Sequence, residues 1–337
     1  MNILIYGAGA IGSHLAYCLQ DKKNKIILLS KRKYINQLNR NGLNLKIFSN
    51  KQLKKSVLIK NNNNIKFEYK VSRTLKFLKN KIDVIFVTLK LKDFNFRIQN
   101  NIKNLSHNKT LLVLPCTYLP PWWFIKVFKT ETYKKKLPKE IRIFRKHTRN
   151  MIGMTMWLSG NLEKPGYVKI KHIQRGYPLK EIHHSKKFLT AKLRNTIRKK
   201  CLSPTVKNIY SEVYIKSINS FAFNLVALQT EQNNYNLKKN IEAIKNIKKV
   251  LTEFDNIVLS LGLPIYQSIN SRIRQTLSST KHTLSMLTDF KRGKKVEIRY
   301  VWSSLLMLSK LSKKDITFSK SIYKIVLKKL KKNGNLG

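Results

Sequence analysis

Short apolar runs alternate with amphipathic stretches through the first half of the chain. Ile3-Leu4-Ile5-Tyr6, Ile26-Ile27-Leu28-Leu29, Val84-Ile85-Phe86-Val87-Thr88-Leu89 and Leu111-Leu112-Val113-Leu114 are continuous and only four to six residues long. They predict strands buried on both faces, the pattern of a parallel sheet. Between them, Ser13-His14-Leu15-Ala16-Tyr17-Cys18-Leu19 predicts a helix, and a second helical piece runs through Leu38 and closes at Asn41-Gly42. Met151 to Trp157 is expected to continue the sheet, and Pro165-Gly166 to turn the chain before Tyr167-Val168-Lys169-Ile170. From Ser203-Pro204 the spacing changes to helical, with Ser as N-cap and Pro at the first helical position. Apolar positions then recur at Ile209, Val213, Ile218, Phe221, Leu225 and Leu228. Further helices are predicted over 241–261, stopped by Gly262 with Pro264 beyond, and over 281–291, 296–312 and 319–332. Lys328-Lys329-Leu330-Lys331-Lys332 reads as a frayed basic tail.

The first strand runs directly into Gly7-Ala8-Gly9-Ala10-Ile11-Gly12, a G-x-G-x-x-G turn that opens a helix. Each glycine has a separate task. The first permits the turn, the second lets the backbone approach a pyrophosphate, and the third lets helix and strand pack. Residues 7–12 are therefore the expected cofactor cradle, with the helix N-terminus facing the anion. The fold class predicted is α/β: an N-terminal Rossmann-type dinucleotide-binding domain over 1–202 and an all-α C-terminal domain over 203–337. At the end of the second strand, where an NAD site places a carboxylate, the chain has Lys31, Arg32 and Lys33. Cations there suit a 2′-phosphate, so NADP is the expected cofactor.

Composition narrows the class. The chain has 337 residues, 42% of them hydrophobic, and a formal charge of +53. It contains no uncharged apolar stretch of about 18 residues, so no membrane span is expected. The three cysteines, Cys18, Cys116 and Cys201, show neither metal-ligand spacing nor a disulfide framework, which fits a reduced, cytoplasmic protein holding no metal. The cations are mostly lysines spread from end to end among Asn and Ile. They read as solvated surface, with nucleic acid bound non-specifically if at all.

Lys216, Ser220 and Asn224 follow one another at intervals of four and form a polar line on an otherwise apolar helix. Such a lysine either snorkels to solvent or faces a cleft. The segment Lys216-Ser217-Ile218-Asn219-Ser220-Phe221-Ala222-Phe223-Asn224 resembles the catalytic helix of the ketopantoate reductases (2-dehydropantoate 2-reductases). Ser285-Met286-Leu287-Thr288-Asp289, with Glu297 twelve residues after the serine, is similar to a second block of that family. The resemblance covers roughly 1–45, 82–95 and 203–330, and it favours the cleft. It implies a helical domain like the C-terminal domain of 6-phosphogluconate dehydrogenase and reduction of a 2-oxo acid with NADPH. Lys216 is then the general acid, and Glu297 holds the substrate hydroxyl and orients the lysine. Ser285 binds the substrate carboxylate, Ser220 and Asn224 position the substrate, His282 lies near it, and Lys90 approaches the cofactor.

The sequence departs from the family where Asn-Gly usually stands near the nicotinamide. Here it reads Pro115-Cys116-Thr117, so Cys116 takes a cofactor-side position. Ser220 replaces an Asn, and Arg299 stands where an acidic residue is common. Trp122-Trp123 either walls a pocket or packs. Three functions remain open at this point: reduction of ketopantoate for pantothenate and coenzyme A synthesis, reduction of another 2-oxo acid or imine, and a non-catalytic NADP-binding or nucleic-acid-associated protein. A small-molecule substrate and a monomeric or homodimeric state are expected.

Overall fold

A computed structural model describes residues 1–49, 52–78, 81–107, 109–115, 117–130, 132, 136–142, 150–278 and 283–337. The chain forms two compact units, Met1–Cys116 with Lys146–Ile209, and Thr117–Arg145 with Tyr210–Gly337.

The first unit contains eleven strands among its described residues: β1 (Asn2–Tyr6), β2 (Lys25–Leu29), β3 (Leu43–Ser49), β4 (Gln52–Ile59), β5 (Ile65–Glu68), β6 (Val84–Val87), β7 (Leu111–Pro115), β8 (Met151–Met154), β9 (Trp157–Lys164), β10 (Tyr167–Gly176) and β11 (Leu179–Glu181). Its helices are α1 (Ala10–Leu19), α2 (Arg32–Asn41), α3 (Val71–Phe77), α4 (Phe96–Leu105) and α7 (Lys187–Arg198). The main sheet has the order β11-β8-β7-β6-β1-β2-β5 and is parallel apart from the antiparallel edge strand β11. Omitting β11, this is the doubly wound nucleotide-binding order. Its central strands are buried along their length because helices and further chain cover both faces. The expected stop at Asn41-Gly42 is present: α2 ends at Asn41 and Gly42 takes φ 72°.

A second sheet, β4-β3-β10-β9, was not expected. Leu43, Leu45 and Ile47 alternate inward along β3, the period-two signal of a half-buried strand. Met151–Trp157 is divided between the sheets, with β8 in the first and Trp157 opening β9 in the second. Because β3, β9, β10 and α7 also pack on α1, that helix is buried from Gly12 to Leu19 without a solvent face.

The second unit is helical: α5 (Pro121–Phe128), α6 (Lys139–Arg142), α8 (Ile209–Thr230), α9 (Asn234–Lys239), α10 (Ile241–Ser260), α11 (Ile269–Thr276), α12 (Ser285–Lys291), α13 (Ile298–Ser312) and α14 (Thr317–Lys332). Ile209, Val213, Ile218, Phe221, Leu225 and Leu228 are all buried, as their spacing predicts. The aromatic core stacks Trp302 on Tyr323 at 4.4 Å and on Phe221 at 5.4 Å. Trp122 and Trp123 pack within this unit. Trp123 Nε1 donates to the Tyr210 carbonyl at 2.9 Å, and Trp122 meets the Tyr210 ring edge-on.

Two local expectations are corrected. No helix starts at Ser203-Pro204; Ser203 Oγ donates to the Tyr177 carbonyl at 2.7 Å, and α8 begins at Ile209. The hydroxyl therefore serves a strand end in place of a helix N-terminus. The basic C-terminal run is not frayed either. It is the last turn of α14, with Leu330 buried and Lys329 Nζ donating to the carbonyls of Leu228 and Gln229 at the end of α8. A cation at a helix C-terminus satisfies carbonyls that have no intrahelical partner.

Candidate active site

The glycine turn follows β1 and hands the chain to α1. Gly7 has φ 122°, a conformation costly for any residue with a Cβ. Thr88 Oγ1 donates to the Gly7 carbonyl at 2.9 Å and pins the turn against the end of β6. A Cβ on Gly12 would lie 1.9 Å from the Gly7 oxygen, so the third glycine is sterically required. Gly9 differs. Nothing stands within 4 Å of a Cβ built there, and this residue is the N-cap of α1 with no side-chain capping bond. The protein itself would thus accept a side chain at Gly9, and the first N–H groups of α1, which have no intrahelical acceptors, are of the kind that bind a pyrophosphate. These residues fit a dinucleotide.

This yields a discriminating prediction. Gly9→Ala should leave the melting temperature within a degree or so while weakening dinucleotide affinity by about tenfold or more, because only the bound anion meets the methyl group. Gly12→Ala should lower both. Differential scanning fluorimetry with and without NADPH separates the two effects.

Lys31 precedes α2 and Arg32 begins it, immediately after β2, and both are exposed. Lys31 Nζ stands 3.4 Å from Asp93 Oδ1 at the surface, and the Arg32 guanidinium lies 5.6 Å from the Tyr69 ring centroid. The adjacent strand β5 ends in Glu68, but its Oε1 accepts the backbone N–H groups of Tyr69 and Lys70 at 2.8 and 2.9 Å. That carboxylate is committed to the loop. Lys90 is exposed just beyond β6. Cys116 and His282 lie outside the described residues.

In the helical unit, α8 carries Lys216, Ser220 and Asn224. Lys216 is half-buried, and burial pushes its ammonium pKa down from 10.5 to about 8 while the Glu212 carboxylate opposes the fall. Glu212 is one helical turn earlier on the same face and is itself buried. It was missed in the sequence, although its interval of four from Lys216 was the available signal. Asn224 is also buried. Its Nδ2 donates to the Ser220 carbonyl at 2.7 Å, and its Oδ1 accepts from Met286 N at 3.1 Å. Asn224 therefore fixes the first turn of α12 against α8 and so places the neighbouring Ser285, which is exposed. Glu297 is the N-cap residue of α13 and half-buried. The preceding Val296 is bridged to Leu336, and Val296 N donates to the Asn335 carbonyl at 2.7 Å. The C-terminal residues thereby hold the Glu297 segment.

Beneath these groups lies a polar network that the sequence did not reveal. Arg272 and Asp255 form a buried ion pair, Tyr214 Oη donates to Asp255 Oδ1 at 2.8 Å, and Arg272 Nη1 donates to Asn219 Oδ1 at 3.5 Å. Tyr214 and Asn219 flank Lys216 on α8, so the network anchors that helix to α10 and α11.

A glycine-turn α/β unit joined to a helical unit with a desolvated lysine is the class that fold and site define. The family profile for ketopantoate reductase PanE/ApbA matches residues 3–115, and that for its C-terminal part matches residues 208–329. The chain belongs to this family. A 2-dehydropantoate 2-reductase of Pyrococcus horikoshii is 24% identical over 314 residues, covering 92% of this chain and 91% of the relative. Among solved structures, a protein of Ralstonia solanacearum MolK2 described as a ketopantoate reductase superposes with a TM-score of 0.81 at 18% identity, covering 99% of both chains. A D-mandelate dehydrogenase in ternary complex with NADH and anilino(oxo)acetate gives 0.74 at 19% identity over the whole of both chains. No helix among the described residues is long and apolar enough to cross a membrane.

Proposed function

We propose that this chain reduces 2-dehydropantoate (ketopantoate) to pantoate with NADPH, supplying pantothenate and coenzyme A synthesis in the cytoplasm. In this reading residues 1–202 hold the cofactor and 203–337 the substrate. The observation that carries the proposal is Lys216, a half-buried lysine whose ammonium pKa burial pushes down to about 8, on the helix matched by the family's C-terminal profile.

When bound, the nicotinamide supplies the hydride that goes to the carbonyl carbon. Lys216 Nζ supplies the proton to the carbonyl oxygen, and its positive charge stabilises the alkoxide as it develops. The exposed Ser285, first residue of α12, binds the substrate carboxylate, while Glu297 holds the substrate hydroxyl. Lys31 and Arg32 receive the 2′-phosphate.

The proton donor has a pH signature. Lys216 is charged below about 8 and loses its proton as the pH rises through that value. Reduction should therefore fall on the alkaline side with an apparent pKa near 8 in kcat/KM. Glu212 raises this pKa, so Glu212→Gln should move the alkaline limb to lower pH. An unmoved limb would remove Lys216 as the titrating group.

A second reading is reduction of another 2-oxo acid or an imine, favoured by Pro115-Cys116-Thr117 in place of the family's Asn-Gly. NADPH oxidation with ketopantoate and then with a panel of 2-oxo acids distinguishes the two. Activity on ketopantoate above the rest of the panel supports the first reading, and activity only elsewhere selects the second. In the same assay, Arg32→Ala should raise KM for NADPH and leave that for NADH unchanged.

A further inference from the structure

The most concentrated unexplained chemistry in the first unit lies on the buried side of α1. His14, Cys18 and Cys201 are all buried, and their ligand-type atoms lie within 4.8 Å of one another. His14 Nδ1 is 2.8 Å from Tyr177 Oη, and Cys18 Sγ is 3.7 Å from His14 Nε2 and 3.9 Å from Nδ1. That near-equality argues against a metal site. A metal on Nε2 must lie along its in-plane lone pair, whereas this sulfur lies off the ring between the two nitrogens. The Lys200 ammonium stands nearby as well, held by the carbonyls of Tyr17 and Gln20 at 2.9 and 2.7 Å, and it acts electrostatically on Cys18. A fixed cation beside the sulfurs disfavours a second cation and favours thiolate.

We propose that Cys18 and Cys201 form an oxidisable dithiol pair, a site of disulfide modification by a small-molecule disulfide such as oxidised glutathione. The two residues differ in role. Cys201 follows the end of α7 in a turn, next to the exposed Leu202, and is the sulfur nearer the surface. Its pKa is lowered by the Cys18 thiol and the Leu202 N–H, whereas burial pushes Cys18 well up. Cys201 thiolate attacks one sulfur of the small disulfide, forming a mixed disulfide and expelling a thiolate. Cys18 then gives up its proton to water, and the Lys200 ammonium beside it stabilises the thiolate that forms. Cys18 sulfur attacks Cys201 sulfur and expels the second thiolate. Two electrons pass from the cysteines to the small disulfide, which leaves as two thiols carrying the two protons. The bond would tie the C-terminal half of α1, the helix that opens at the cofactor cradle, to the end of α7.

The test incubates folded Cys116→Ser protein in glutathione buffers of stepped ratio, followed by thiol counting and mass spectrometry of non-reducing digests. Of the three cysteines in the chain, this variant retains two. Its free thiols should fall from two to none, with a Cys18–Cys201 linked peptide lighter by two hydrogens. Cys18→Ala should accumulate glutathione on Cys201, and Cys201→Ala should leave Cys18 unmodified. Should Cys18→Ala fail to fold, the linked peptide of the Cys116→Ser protein decides alone. Thiols that stay reduced in the folded protein while the urea-unfolded chain oxidises would overturn the proposal, as would Cys18 acquiring glutathione in Cys201→Ala.

Discussion

Lys216→Ala is expected to lower kcat for ketone reduction by about a hundred- to ten-thousand-fold, the range of a lost general acid. That is roughly 2.7–5.5 kcal/mol of barrier. Two effects add: the proton source disappears, and the developing alkoxide loses a desolvated positive charge. Removing Lys216 also removes the positive charge that interacts with the buried Glu212 carboxylate, so thermal unfolding is measured beside the kinetics to keep loss of chemistry distinct from loss of fold. NADPH affinity, which depends on the glycine turn, should stay within about twofold of wild type. Lys216→Arg separates the two contributions. A guanidinium keeps the charge and cannot release a proton near neutrality, so part of the loss should remain and the alkaline limb near pH 8 should vanish. Steady-state kinetics across pH, with cofactor binding followed by fluorescence, checks all three expectations. Full activity in Lys216→Ala would move the proton donor elsewhere.

The second large effect falls on stability. Arg272→Ala is expected to cost about 3–5 kcal/mol, because it leaves the Asp255 carboxylate buried without its countercharge. Both partners are almost fully enclosed, with 0% and 9% side-chain exposure, so little solvent screening softens the loss. Burial already raises the Asp255 pKa, and the guanidinium and the Tyr214 hydroxyl oppose that rise. Without the arginine the carboxyl should take up a proton at higher pH, so the penalty should shrink as the solution is acidified. Replacing both partners by apolar residues, Arg272→Met with Asp255→Leu, should recover much of the loss. Urea denaturation of the single and double variants gives the comparison. A double variant no more stable than Arg272→Ala would mean that the pair is not what the single substitution disrupts.

The N-terminal β-α-β unit was legible because every signal in it is local. The apolar run, the three glycines and the buried helix lie within the first 19 residues, and Gly42 marks the end of the next helix. The second sheet was less legible because lysines obscure its strands: β4 reads Gln52-Leu53-Lys54-Lys55-Ser56-Val57-Leu58-Ile59 and is mostly exposed. Ser203-Pro204 carried a valid local helix signal that lost to a tertiary partner, the Tyr177 carbonyl. The polar line on α8 came from spacing alone, and its members differ in exposure, with Lys216 and Ser220 half-buried and Asn224 buried. The task of Asn224 was not readable, since its Met286 partner is 62 residues away in sequence. The same holds for the network of Tyr214, Asn219, Asp255 and Arg272. Its members are ordinary residues until folding brings them together.

One isotope experiment bears most directly on the proposed chemistry. The protein is given ketopantoate and NADPH carrying deuterium at the transferable position of the nicotinamide, and the product is read by NMR. Transfer of one deuterium to the carbinol carbon of pantoate, slowed about a hundred- to ten-thousand-fold in Lys216→Ala at unchanged NADPH affinity, is the predicted result. NADPH bound as tightly as before, with no deuterium reaching ketopantoate or any other 2-oxo acid, would contradict it.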